Sequence, residues 1–87
     1  MKLKIFSIYD SKAEAYHQPF YLTTKSLAIR QFTDLANDNS SQISKHPADF
    51  TLFYIGEYDD HTASFDLEKT KIALGTALEF KGTEQLW

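Results

Sequence analysis

The sequence predicts an α+β domain: a small antiparallel or mixed β-sheet of about four strands, with one main helix packed on one face. Three observations predict it. Runs rich in Ile, Phe, Tyr and Thr at 2–9 and 51–58 have strand composition. One stretch, 26–37, repeats apolar residues at three- and four-residue intervals, the period of a helix face. The chain has 87 residues, 43% hydrophobic and 15% aromatic, which suffices for one core built largely from rings. We therefore read residues 1–81 as a single domain and 82–87 as a C-terminal tail.

The first strand runs from Lys2 to Tyr9 and ends in the turn Asp10-Ser11-Lys12. Ala13 to Tyr16 is compatible with a helical turn, but Pro19 disfavours helix through Gln18, so Phe20-Tyr21-Leu22 is expected to be a short edge strand. In the helix 26–37 the apolar stripe is Ala28, Ile29, Phe32, Leu35 and Ala36. Thr24 or Ser26 caps its start by accepting from an N–H of the first turn. Asn37 to Ser41 ends it with turn-forming residues, and His46-Pro47-Ala48-Asp49 closes a polar connection. Thr51 to Tyr58 is the strongest strand; Gly56 inside it suggests a bulge or a close backbone approach. After the turn 59–62, residues 63–67 return as the second arm of a hairpin. From Lys71 to Phe80 the signals are mixed, extended over 72–74 and helical over 75–80.

Charge divides the chain unevenly. The net charge is −3, yet residues 1–30 hold Lys2, Lys4, Lys12, Lys25 and Arg30 against two acids, while residues 31–87 hold four cations against ten. Overall acidity argues against strong non-specific binding to duplex DNA, where affinity follows the number of phosphates neutralised. It leaves room for a local basic face. Cysteine is absent, which removes disulfides and thiolate metal sites and fits a reducing compartment. No run approaches the roughly 20 apolar residues of a membrane span, so no membrane partner is expected.

Catalytic signatures are missing from the sequence. The three glycines are too scattered to cradle a phosphate, and no serine lies in a Gly-x-Ser-x-Gly elbow. Asp59-Asp60-His61 is the best local cluster for a metal, but adjacent turn residues splay apart. We expect neither an enzyme nor a cofactor or metal site. Two binding modes remain. Small sheets bind single strands by stacking bases on rings and pairing phosphates with cations. Lys2, Lys4, Lys12, Lys25 and Arg30 supply the cations, with Tyr9, Tyr16 and Phe20 the stacking rings; Lys2 and Lys4 share one strand face. Alternatively, Leu86 and Trp87 in the tail, or an open sheet edge, engage a protein partner.

Three stretches carry a family resemblance. They are Asp10-Ser11-Lys12-Ala13-Glu14-Ala15-Tyr16 with Pro19-Phe20; His46-Pro47-Ala48-Asp49 with Leu52 and Gly56-Glu57-Tyr58-Asp59; and Leu74-Gly75-Thr76-Ala77 before Phe80. Together, across residues 2–81, they resemble the small nonstructural protein of gokushoviruses, members of the Microviridae with single-stranded circular DNA genomes. The resemblance implies a protein of the infected bacterial cytoplasm that binds single-stranded DNA or the phage replication and packaging complex. The acidic C-terminal part keeps the alternative open, a protein-interaction adaptor acting on a host or viral protein. A small chain with an open sheet edge also makes a homodimer an expectation.

Overall fold

The computed structural model describes residues 1–82. Its elements are β1 (Lys2–Asp10), β2 (Ala15–Tyr16), β3 (Phe20–Leu22), α1 (Lys25–Asn37), α2 (Gln42–Lys45), β4 (Phe50–Asp59), β5 (Ser64–Thr76) and α3 (Ala77–Phe80). A 3-10 turn at Pro47–Asp49 leads into β4. The five strands form one antiparallel sheet. β1 pairs with β4 along one edge; its other edge is shared by β2, opposite Tyr9 and Asp10, and β3, opposite Lys4 to Phe6. β5 pairs with β4 and lies outermost.

The sheet has one strand more than expected because residues 11–16 form a hairpin and no helical turn. Asp10 Oδ1 accepts from the N–H groups of Lys12 (3.0 Å) and Ala13 (3.3 Å), and Glu14 takes a left-handed φ of 55°. That side-chain turn brings Ala15 and Tyr16 back onto β1. The mixed segment 71–80 divides at Thr76. Before it the chain extends β5; after it Ala77–Phe80 forms α3, where Glu79 Oε1 accepts from the Thr76 N–H at 3.1 Å. Such a reciprocal contact satisfies a donor that the helix leaves free.

All three helices cover the same face of the sheet. Phe6, Ile8, Phe50, Leu52 and Tyr54 meet Ala28, Phe32 and Ala36 of α1, with Ile43 and Ala77 closing the ends. Ala28 and Ala36 let the helix axis approach the strands, and Phe32 fills the space between them. The expected stripe needs one correction: Leu35 is 37% exposed, while Thr33 is buried with its hydroxyl donating to the Ile29 carbonyl at 2.7 Å. That bond is what makes a buried threonine tolerable. Thr24, and not Ser26, caps α1, its Oγ1 accepting from the Leu27 N–H at 3.2 Å.

Polar side chains hold the far end. Asn37 donates from Nδ2 to the Phe80 carbonyl (3.1 Å) and accepts at Oδ1 from the Gly82 N–H (2.6 Å). Lys81 Nζ donates to the carbonyl (2.6 Å) and hydroxyl (2.8 Å) oxygens of Ser44 in α2. Where α1 ends, Asp38 Oδ1 accepts from the hydroxyl (2.7 Å) and N–H (3.0 Å) of Ser40. Those bonds, the hydroxyl's first, hold its carboxyl below the usual aspartate pKa. A lowered folded-state value gives stability that is present above the unfolded value and lost as pH falls through the folded one. In an NMR titration Ser40→Ala is expected to move the Asp38 midpoint upward; an unmoved midpoint refutes the assignment.

The molecule measures 39 × 33 × 20 Å across its Cα atoms. Twenty ångströms accommodates one sheet and one helical layer, given that packed layers lie about 10 Å apart. Among the described residues, no helix covers the second face of the sheet.

Candidate nucleic-acid interface

The two faces of the sheet differ in chemistry because side chains alternate along each strand. On β1, Lys2, Lys4, Phe6, Ile8 and Asp10 share the helix side, and Leu3, Ile5, Ser7 and Tyr9 the open side. β4 reverses its alternation midway. Phe6 is opposite Tyr54 and Ile5 is opposite Gly56, so Ile55 is an extra residue, a β-bulge. Phe53 before the bulge and Tyr58 after it therefore face the same way, although their separation of five residues would otherwise oppose them. Gly56 is required there: a Cβ on it would lie 2.5 Å from the Asp66 carbonyl oxygen and 2.8 Å from the Leu67 Cα.

The open face carries two groups of rings. Tyr9 and Tyr16 lie 4.8 Å apart between centroids, and Phe53 is 5.6 Å from Tyr16. At the other end, Tyr58 is 4.9 Å from Phe65 and 5.9 Å from Tyr21. The tilted and edge-on contacts are those that aromatic quadrupoles favour. Ile5 lies in the strand between the two groups, 2% exposed yet outside the cluster beneath the helices. Tyr16 (44%), Tyr21 (40%), Phe65 (58%) and Leu67 (61%) remain open to solvent.

Charge is segregated between the faces. The strand positions of the open face hold Lys69 and Lys71 and no carboxylate. Lys71 Nζ reaches within 5.8 Å of the Tyr16 ring centroid, a cation–π distance. Glu57, Asp59 and Asp66 instead gather on the helix side, where with Lys2 and Ser64 they line one small depression of about 120 Å³.

This geometry divides the residues nominated from sequence. Tyr9 and Tyr16 come together on the open face. Lys2 and Lys4 do share a face, but it is the opposite, carboxylate-bearing one, and Lys4 Nζ is 3.2 Å from Glu57 Oε2. Lys25 sits 4.5 Å over the Tyr54 ring on the helix side, and Arg30 is exposed on α1. Burial first, then the Glu57 carboxylate, pushes the Tyr54 hydroxyl above its ordinary pKa. Lys12 is exposed in the β1–β2 turn. Phe20 stacks on Phe6 at 5.7 Å beneath α1, where with Phe32 and Leu35 it lines an apolar crevice of about 210 Å³. Leu86 and Trp87 lie outside the described residues.

Residues 3–80 match the family model described as Phage ORF5 protein. The chain belongs to the phage ORF5 protein family. Comparison with curated proteins finds no match. Comparison with solved structures finds none either. Within this family member, the matched span runs from the second residue of β1 to the last residue of α3, so it takes in both ring groups and all of the sheet but Lys2. It is thus a phage protein whose sequence nominated two of the three rings of one group, Tyr9 and Tyr16, and did not single out Phe53, Tyr58, Phe65, Lys69 or Lys71. The signal available was Gly56, read as a bulge or a close backbone approach; carrying the change of alternation through a bulge there places Phe53 and Tyr58 together.

Proposed function

We propose that this phage protein is a non-enzymatic binder of single-stranded DNA, acting during genome synthesis or packaging in the cytoplasm of the infected bacterium. The gokushovirus resemblance of residues 2–81 supplies that setting. The carrying observation is the charge segregation of the sheet: in a chain with twelve acids and nine cations, the open face combines six rings with two lysines and no strand-borne carboxylate. Unpaired bases offer π-faces to such rings, and their phosphates offer the anions that lysines complement. Duplex DNA hides its base faces inside the stack and would find too few cations here.

The adaptor reading ranks second. It draws on the outer edge of β5, which has no strand partner among the described residues. Lysines and an irregular pairing interrupt that edge, as in sheets that resist strand addition. Self-pairing is disfavoured further. An antiparallel two-fold centred on 67, 68, 69 or 70 sets Asp66 against Glu68, Glu68 against itself, Lys69 against itself, or Lys69 against Lys71. The homodimer expectation therefore forms no part of the proposal.

The test is fluorescence anisotropy of a labelled oligothymidylate titrated with the protein at low and high salt. Saturable binding that weakens as salt rises, with a blunt duplex of equal length bound far less well, is the expected result. Absence of binding at low salt refutes the proposal and turns attention to a protein partner.

A further inference from the structure

β4 and β5 fall out of step where β4 bulges. Tyr54 is opposite Ile72 and Gly56 is opposite Leu67, so Glu68, Lys69, Thr70 and Lys71 of β5 stand against the single residue Ile55. Four residues opposite one form an arch at the rim of the sheet. Along the strand axis it falls between the two ring groups: Phe53 is on one side of the pairing gap, and Tyr58 with Phe65 on the other. Both open-face lysines belong to the arch, and Lys71 extends from it over Phe53's neighbour Tyr16.

We propose, resting on the single-strand reading above, that the arch 68–71 is a phosphate clamp joining two base-stacking platforms, and that together they define a footprint of about four nucleotides. The exposed rings set the span: Tyr16 of the first platform registers with Tyr9 of β1, and in the second Tyr21 registers with Ile5 and Phe65, through Tyr58, with Leu3. The platforms are thus four to six residues apart on one strand, roughly 13–20 Å at ~3.3 Å per residue. A stacked strand advances ~3.4 Å per nucleotide and an extended one about twice that, so two or three extended steps bridge the gap. Bases at the ends of such a tetranucleotide meet the two platforms, and the linking phosphates pass the arch. The result lies at the small end of the footprints, roughly 4–16 nucleotides, that single-strand-binding folds of similar size display.

Three features of such a complex are measurable. Binding of oligothymidylates from two to eight nucleotides is expected to tighten steeply up to about four and then to rise only with the number of available registers. Two neutralised phosphates give a log–log salt slope near −1.4, at about 0.7 per phosphate. Lys69→Ala with Lys71→Ala is expected to bring that slope towards zero, whereas Lys2→Ala with Lys12→Ala leaves it unchanged. A smooth length dependence with no break, or a slope that survives loss of both arch lysines, overturns the clamp while long oligonucleotides still bind. Failure of every length to bind removes the clamp together with the reading beneath it.

Discussion

Replacing Tyr16 and Tyr21 together by alanine is expected to weaken binding to a saturating-length oligothymidylate by about thirtyfold or more. Each ring is 40% or more exposed, and each belongs to a different platform. A base–ring stack contributes about 1–3 kcal/mol by alanine substitution, and about 1.4 kcal/mol is a factor of ten. Two independent stacks on separate platforms should lose nearly additive energies, since neither ring touches the other's cluster. Because both side chains are already open to water, the melting temperature is expected to move by only a few degrees. Anisotropy and thermal circular dichroism on the same sample separate the two effects. Unchanged affinity in the folded double variant would exclude the open face as the binding surface.

Gly56→Ala should cost about 3 kcal/mol of folding stability, combining strain at an unfavourable backbone conformation with overpacking. The φ of +153° is one that side chains rarely adopt, and the new methyl would press on backbone atoms of β5, which have no rotamer to move away. For a domain of this size, 1 kcal/mol corresponds to about 4–8 °C, so the melting temperature should fall by about 12–24 °C. Gly82→Ala makes a useful comparison. Its φ is +78°, but a Cβ there meets nothing within 4 Å. It therefore isolates the conformational cost, about 1 kcal/mol. Equal melting temperatures for the two variants would show that the close approach at Gly56 is not rigid.

Much of the fold was legible because its signals are local. Apolar spacing located α1 to within a residue, strand composition located β1 and β4, and Gly56 marked a bulge or a close approach, both of which occur there. What escaped depends on consequences that local signals do not carry. The hairpin arm 63–67 and the extended stretch 72–74 read as separate segments; the structure joins them through the arch 68–71 into one strand of 13 residues. The candidate site was harder still to read. Lys2, Lys4, Tyr9 and Phe20 cluster in sequence, but period-two alternation distributes them over both sides of the sheet, and Phe20 packs on Phe6. Tyr54 and Tyr58 have the same parity and opposite fates, one beneath the helix and one in the open, because a single extra residue lies between them.

The central position of β1 bears on how the chain reaches this shape. β1 leaves the ribosome before the other strands of this sheet, and its long partner β4 follows only after both α1 and α2 have been made. Until then β2 and β3 can close one side of it, while the side that awaits β4 presents nine residues of unsatisfied ladder beside Ile5, Phe6 and Ile8. Pairings between distant segments form slowly, and unfinished sheets with apolar edges associate with one another. A chain synthesised rapidly passes through that exposed interval in many copies at once. Its yield in soluble form should then depend on the rate of synthesis as much as on the stability of the finished domain.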